Sequence, residues 1–260
     1  MKNLKKRLQN GEALIGCLLN SGNAYSAEIV GRAGFDWVMV DLEHGAGNEK
    51  DALSQLQTLQ ATPTGVIIRV ESNNKQRVQR ALDMGAEGII CPQVETVANV
   101  QTLIDGMYYY PYGKRGVAPS VRAANFGKDF KAHKEQSKEN GLCIVQIETK
   151  KVLDNLDEIT ALVNVDALFI GPLDLTMALG IFGEYDHPKY IDAVEAVAGS
   201  ATRAKKALGI YLPDPENYQM YYDLGFRLFA CGTDTTFLAQ GANDMAKTLN
   251  SKKQPKLDYG

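Results

Sequence analysis

The chain is poor in residues that would mark several common functions. It has three histidines, one tryptophan and four cysteines, and its 28 basic side chains are outnumbered by 31 acidic ones. Without a basic excess there is no electrostatic footprint for nucleic acid. Cys17, Cys91, Cys143 and Cys231 are far apart, none in C-x-x-C spacing, and each lies in an apolar run (IGCLL, IICPQV, LCIVQI, LFACG). That pattern excludes a zinc site of close spacing. It reads as buried small hydrophobes rather than as a secreted disulfide framework. No apolar run reaches the ~18 residues of a membrane span. The start MKNLKKRLQNGEALIG lacks the apolar stretch and cleavage site of a signal peptide. The expectation is a cytoplasmic protein with neither a nucleic-acid nor a membrane partner.

What the chain does have is 45% apolar residues over 260 positions, enough to bury a core without disulfides or metal. The apolar runs recur with a regular beat: LIGCLL (14–19), WVMVDL (37–42), GVIIRV (65–70), GIICPQV (88–94), CIVQIE (143–148), ALFIGP (167–172), LGIYL (208–212) and RLFACG (227–232). Most are continuous and rich in Val, Ile and Leu, as parallel strands covered on both faces require. Between them lie helical patterns such as 23–34, 49–60, 75–85 and 215–225. Gly34, Gly85 and Gly225 stand where such a helix would stop and the next strand begin.

Eight strand-like runs alternating with helices predict an α/β fold, a (β/α)8 barrel, whose usual size is about 250 residues. The alternative, a doubly wound open sheet, would show a Gly-rich turn after its first strand if it bound a dinucleotide. Here that place holds NSGNAYS. A single domain over 1–260 is expected, with a frayed polar tail from about residue 250. Two stretches exceed a minimal unit: 107–141, read as a long βα connection on the rim of an active site, and 173–207.

Barrel chemistry gathers at the C-terminal ends of the strands. Strand two ends in Asp41-Leu42-Glu43-His44, strand three in Arg69, strand five in Gln146-Ile147-Glu148 and strand six in Gly171-Pro172-Leu173-Asp174. Strands one, four, seven and eight finish on the less charged Asn20, Gln93, Asp214 and Thr233-Asp234. Gln146 and Glu148 share one face of their strand. If strands five and six are neighbours, about 5 Å apart, Glu148 and Asp174 can converge on one point. Two carboxylates suit a hard divalent cation such as Mg²⁺ or Mn²⁺. Arg69 offers a planar cation for a carboxylate or a developing enolate. His44 is the natural proton carrier near neutral pH, with Asp41 or Glu43 to orient its ring. His133, among lysines and glutamates, is expected to be solvated. Each charged strand end taken alone could equally be an ion-pair partner or a helix cap, as Asp174 at the start of DLTMALG could be.

AGFDWVMVDLEHG (33–45), ALDMGAEGIICPQVET (81–96), YYPYGKRGV (109–117), VQIET (145–149), VDALFIGPLDLTMALG (165–180) and FACGTDTTFLAQG (229–241) stand in this order along the chain. With them the sequence resembles the HpcH/HpaI aldolase family, the metal-dependent pyruvate aldolases, from about residue 10 to 248. The resemblance implies a TIM barrel of the phosphoenolpyruvate/pyruvate-binding type. It implies reversible cleavage of a 4-hydroxy-2-oxo acid to pyruvate and an aldehyde, with a divalent metal (Mg²⁺ or Mn²⁺, Co²⁺ also possible). By the same resemblance Glu148 and Asp174 would be the metal ligands, with Gln146 close by. Arg69 would hold the pyruvyl oxygen, His44 paired with Asp41 would manage the proton, and the backbone N–H groups of Leu173 and Asp174 would bind the pyruvate carboxylate. Similar members are homo-oligomers, trimers or hexamers, with the last barrel helix exchanged, and Asp83 matches a position that reaches a neighbouring subunit's site. Cys17-Leu18-Leu19 stands where a Trp is common, Leu42 where small residues are common, and Gly45-Ala46-Gly47 where Ala-Pro-Asn is usual, which leaves the aldehyde open. The rival readings are a citrate-lyase-β-like lyase acting on a CoA thioester, which would need a basic groove beyond Lys114 and Arg115, and a non-catalytic barrel. No lysine stands at a strand end to form a Schiff base.

Overall fold

Strand register decides the architecture. The structure is a computed structural model that describes residues 3–253. Eight parallel strands follow one another in chain order: β1 (Leu14–Leu19), β2 (Trp37–Asp41), β3 (Gly65–Arg69), β4 (Gly88–Cys91), β5 (Leu142–Ile147), β6 (Ala167–Ile170), β7 (Ala207–Tyr211) and β8 (Leu228–Thr233). β8 pairs back onto β1, so the sheet is a closed barrel, the (β/α)8 fold expected from the sequence. The polar tail expected to fray lies almost wholly beyond the described residues.

The short helix α1 (Leu4–Gln9) precedes β1. α2 (Ala24–Gly31), α3 (Glu49–Leu59), α4 (Lys75–Asp83) and α5 (Val97–Met107) follow β1 to β4 in turn. α6 (Phe130–Asn140) precedes β5, and the short α7 (Lys150–Asp154) and α8 (Leu156–Thr160) follow it. α9 (Pro172–Ala178) and α10 (Pro188–Arg203) follow β6, α11 (Tyr218–Asp223) follows β7, and α12 (Asp234–Asn250) follows β8. Asn23, Asn48, Asn74 and Thr96 cap α2 to α5 with side-chain oxygens that accept first-turn N–H groups. Gly34 and Gly85 take φ of 104° and 103° just past their helices, the left-handed turn that Gly adopts without steric cost.

Alternation along the strands sorts the apolar residues into two cores. Leu14, Leu18, Trp37, Met39, Ile67, Ile90, Leu142, Ile144, Phe169, Leu228 and Ala230 point inward and fill the barrel. Their neighbours, such as Val38, Val40, Ile68, Ile89, Val145, Ile170 and Ile210, point outward beneath the helices. The inward rows end at the C-terminal mouth in polar residues: Asp41 on β2, Arg69 on β3, and Gln146 then Glu148 on β5. Cys17, Cys91 and Cys143 are buried as expected and Cys231 is half-buried; all four are free thiols.

The opposite end, the floor, is closed by α1. Leu4 and Leu8 join the inner core. The Lys5 ammonium pairs with Asp166 at 2.9 Å and donates to the Lys138 and Gly141 carbonyls at 2.8 and 3.1 Å. Residues 107–141 also belong to the floor, which corrects the reading of that stretch as an active-site rim. α5 already follows β4 and carries the chain down to the N-terminal end, so this long segment is an αβ connection. His133 within it is half-buried rather than solvated, 3.4 Å from the Tyr109 hydroxyl. Of the two long stretches, 173–207 is the one that begins at the mouth.

Leu4 is fully buried, so Leu4→Ala leaves a cavity under the barrel. We expect a loss of about 2–4 kcal/mol in unfolding free energy, read by urea denaturation. No loss would show that α1 does not plug the floor.

Candidate active site

Parallel pairing sets Asp41 and Arg69 directly beside each other at the ends of β2 and β3. Both face inward, and the guanidinium grips the carboxylate at two points, Nε to Oδ1 at 2.9 Å and Nη2 to Oδ2 at 2.8 Å. Asp41 Oδ1 also accepts the backbone N–H groups of Glu43 at 3.0 Å and His44 at 3.3 Å. Burial alone would raise the Asp41 carboxyl, but the Arg69 fork and these N–H groups outweigh it and hold the group below the ordinary aspartate range. The remaining arm of the guanidinium, Nη1, lies 3.2 Å from Glu43 Oε2.

Across the mouth, Glu148 is buried. Its Oε1 accepts the backbone N–H of Gln93 at 2.5 Å, and its Oε2 accepts a short hydrogen bond from the Gln146 amide. Gln93 holds φ at 53°, a left-handed setting uncommon for a side chain of this kind. From there its own amide donates to Glu43 Oε1 at 3.2 Å. Gln93 therefore bridges the two halves of the site, a role its place in the less charged set of strand ends did not foretell. What could have marked it is its position directly after Pro92 at the end of β4.

β5 and β6 are paired neighbours, as the convergence of Glu148 and Asp174 requires. A Cβ on Gly171 would lie 3.3 Å from the Gln146 amide nitrogen and 3.4 Å from Glu148 Oε2, so the start of α9 packs straight onto this pair. Asp174 stands in the first turn of α9, and Gly171 caps that turn without a side chain. The leading N–H groups, including those of Leu173 and Asp174, thus have no intrahelical acceptor. Burial pushes the Glu148 carboxyl up; the Gln93 and Gln146 donors pull it down, and the charges of Glu43 and Asp174 add to the rise. Burial likewise raises Glu43, against the pull of Arg69, His44 and Gln93. Three carboxylates, Asp41, Glu43 and Glu148, lie in the field of one guanidinium.

The His44 ring is not on Asp41, as the resemblance implied. It is largely exposed, 63% for the side chain, and its Nε2 lies 3.8 Å from Glu43 Oε2. The reason is that the Arg69 fork and two backbone N–H groups already occupy Asp41. Asp83 is remote from this mouth: it ends α4 on the floor, where it accepts from Arg115 Nη2 at 2.5 Å. Asp234 is structural; its carboxylate accepts the Asn20 backbone N–H at 2.8 Å and the Ser26 hydroxyl at 2.7 Å, tying β8 to the loop after β1. A cavity of about 720 Å³ also lies on the floor, lined in part by Arg115, Arg122 and His133. Its arginines are committed to Asp83, the Met84 carbonyl and Gln60, and no C-terminal strand end reaches it. Among the described residues no three His, Cys, Asp or Glu side chains are gathered into a preformed metal cage, and no helix is long and apolar enough to cross a membrane.

Asp41→Asn would leave Arg69 buried with a neutral partner, and we expect a loss of about 3–5 kcal/mol near neutral pH. Because the folded carboxyl is held low, its contribution is present above the ordinary aspartate range and is lost as pH falls through the depressed value. The gap between variant and parent should therefore shrink below about pH 4. Denaturant titrations at neutral and acid pH check this, and a gap that widens in acid would contradict the pairing.

Comparison with known proteins bears on the fold and the family. The family model for HpcH/HpaI aldolase/citrate lyase matches residues 14–241. A 4-hydroxy-2-oxo-heptane-1,7-dioate aldolase from Salmonella dublin is 33% identical over 254 residues, 97% of each chain. Two solved structures superpose along nearly the whole length. One is an HpcH/HpaI aldolase/citrate lyase family protein from Burkholderia cenocepacia, with TM-score 0.90, 32% identity, and 96% of this chain and 100% of that one covered. The other is an HpcH/HpaI aldolase from Desulfitobacterium hafniense, with TM-score 0.89, 28% identity and 98% of each covered. With the family model matching residues 14–241 and a relative 33% identical over 97% of its length, the chain belongs to the HpcH/HpaI aldolase/citrate lyase family.

Proposed function

We propose that the chain is a divalent-metal-dependent carbon–carbon lyase that reversibly cleaves a 4-hydroxy-2-oxo acid to pyruvate and an aldehyde. The observation that carries this is the mouth itself, a buried and oriented guanidinium facing an acidic pair across one bridging residue. The donor set fits a hard cation. Carboxylates outnumber the single guanidinium, burial disfavours the charge on Glu148, and the buried Gln146 Oε1 accepts no hydrogen bond. Glu148 and Asp174 would hold the metal, Mg²⁺ or Mn²⁺ with Co²⁺ as a further candidate, and Gln146 would stand beside it. When bound, it supplies Lewis acidity that polarises the 2-oxo group.

The protein's own groups do the rest. Leu173 and Asp174 present backbone N–H groups to the substrate carboxylate at the positive end of α9. His44, open to the mouth, takes the C4 hydroxyl proton. As the C3–C4 bond breaks, negative charge grows on the C2 oxygen, where Arg69 is already held by Asp41 and needs no reorganisation. The CoA-thioester alternative lacks support, because Lys114 is paired with Asp105 and Arg115 with Asp83, both at the floor. Small-molecule substrates and a cytoplasmic location accompany this reading.

Assembly is part of the proposal. Past Asp234 every described residue of α12 is exposed, including Leu238, Met245 and Leu249 at 76%, 61% and 58%. These three recur at i, i+7 and i+11, one helical stripe. A helix with such a stripe needs a cover, and a second copy of the chain exchanging the same helix provides one, in a trimer or hexamer. Asp83, at the end of the barrel opposite its own mouth, reaches an active site only as a neighbour's.

Two measurements test these statements. Purified protein given pyruvate and a panel of aldehydes should form 4-hydroxy-2-oxo acids, lose activity with EDTA and recover it with Mn²⁺ or Mg²⁺. Activity that survives EDTA and is trapped by borohydride would refute the metal-dependent mechanism. Leu238→Glu combined with Met245→Glu should reduce the mass in light scattering to that of a monomer, and an unchanged mass would remove the exchanged helix.

A further inference from the structure

Asp41 and Glu148 are both buried carboxylates at the mouth, but different kinds of donor hold them. Asp41 is gripped by the Arg69 guanidinium, which neutralises it. Glu148 is held by two uncharged amides, the Gln93 backbone N–H on Oε1 and the Gln146 side chain on Oε2. Such donors fix the plane of a carboxylate without cancelling its charge. Each oxygen also keeps a lone pair, so Glu148 is oriented and still open to a cation. A carboxylate that ligates a metal is ordinarily supported by hydrogen bonds of this kind.

The Gln146 donor stands two residues before Glu148 and follows from the alternation of β5. The Gln93 donor depends on an irregular backbone. Just past the end of β4, Gln93 takes φ of 53°. Gly or Asn is the usual occupant of that region, and a glutamine there is uncommon. Pro92 and Val94 on either side are buried, whereas the Gln93 residue is exposed, and its bond to Glu43 at 3.2 Å is exposed too. The packed part of the turn is therefore its main chain and not its side chain. Strained backbone persists where the surroundings impose it, and it gathers at functional sites. Here it yields one N–H aimed at a buried carboxylate.

We infer that the main chain of Gln93 is a positioning element for metal binding: its left-handed turn aims one N–H at Glu148 and sets that side chain before a cation arrives. The inference rests on the metal-dependent reading and deepens it. It gives the role to the turn and not to the glutamine amide. A residue that adopts positive φ freely should preserve the site, and one that resists it should undo it.

Mn²⁺ binding to the metal-stripped protein, followed by electron paramagnetic resonance of the free ion, tests this without turnover. Gln93→Gly takes the left-handed backbone freely and should keep the dissociation constant within about three-fold of the parent's. Gln93→Val carries a branched side chain for which positive φ is a severe outlier. It should raise the constant about ten-fold or more, the usual effect of losing a hydrogen bond that orients a metal ligand. Equal affinity in all three proteins, or a Gly variant as weak as the Val variant, would overturn the inference. If the parent binds no Mn²⁺, the metal reading falls; if Gln93→Val does not fold, that comparison is lost. In either case the Gln93 backbone amide still decides. In protein labelled with ¹⁵N-glutamine its proton is expected well downfield, as a short bond to a carboxylate requires, and Glu148→Gln should move it upfield. A Gln93 amide proton indifferent to Glu148→Gln would overturn the assignment.

Discussion

Asp41 and Arg69 meet because their strands are in register, and the rest of the mouth is arranged around that meeting. A guanidinium buried alone would be severely destabilising. Beside Asp41 it is neutralised at two points and its plane is fixed, since two parallel N–H···O bonds leave one orientation. A slip of one residue in either strand would turn these side chains out among the helices. The inner core beneath them, from Trp37 and Met39 on β2 to Ile67 on β3, holds that register by requiring the same parity. Packing and the geometry of the mouth thus rest on one alternation.

Fixing Arg69 this way has a consequence for the acids around it. Asp41 consumes most of the guanidinium, so Glu43 receives a single arm and Glu148 only its distant field. Burial then pushes both glutamates up, with the charge of Asp41 adding to the rise at Glu43 and those of Glu43 and Asp174 to the rise at Glu148. Gln93 is where the conflict is managed. Its backbone N–H supports Glu148 and its amide supports Glu43, and only a left-handed backbone turns both donors toward the mouth. Neutral donors soften the repulsion without cancelling it, and a cation is the species that would.

Much of the fold was legible because parallel strands buried on both faces are continuous apolar runs, and the helix stops at Gly34, Gly85 and Gly225 mark where each begins. The acidic and basic strand ends were legible for the same reason: once parity is known, Asp41, Arg69, Gln146 and Glu148 fall on the inner face. Residues 107–141 were misplaced because apolar runs do not reveal whether a connection comes before or after its helix, and Val97–Met107 had already taken the chain to the floor. The contribution of Gln93 was hidden because it depends on a main-chain N–H and a φ angle, which residue type does not report. The partner of His44 was open for a geometric reason. Asp41 and Glu43 are both near in sequence, and residue type does not report that Asp41 is already gripped by Arg69 while the His44 ring stands outward.

The two ends of the barrel differ in which buried polar atoms they leave open, and this bears on why the site is at one of them. At the floor, most polar groups are met, Arg115 Nε excepted: Lys5 has Asp166 and two carbonyls, and Asp166 has also the Cys143 N–H and the Tyr108 hydroxyl. At the mouth, Asn20 Oδ1, Glu43 Oε2 and Gln146 Oε1 are buried without a hydrogen-bond donor. A stable fold keeps few such atoms, and three acceptors at the ends of β1, β2 and β5 are a local cost that the double core offsets. What would repay it is something that enters from solvent carrying donors or positive charge, as the substrate and divalent ion proposed above would. The same disposition keeps the alternatives apart, since a barrel used only as a scaffold has no need to leave its acceptors open at the one end where a ligand can reach them.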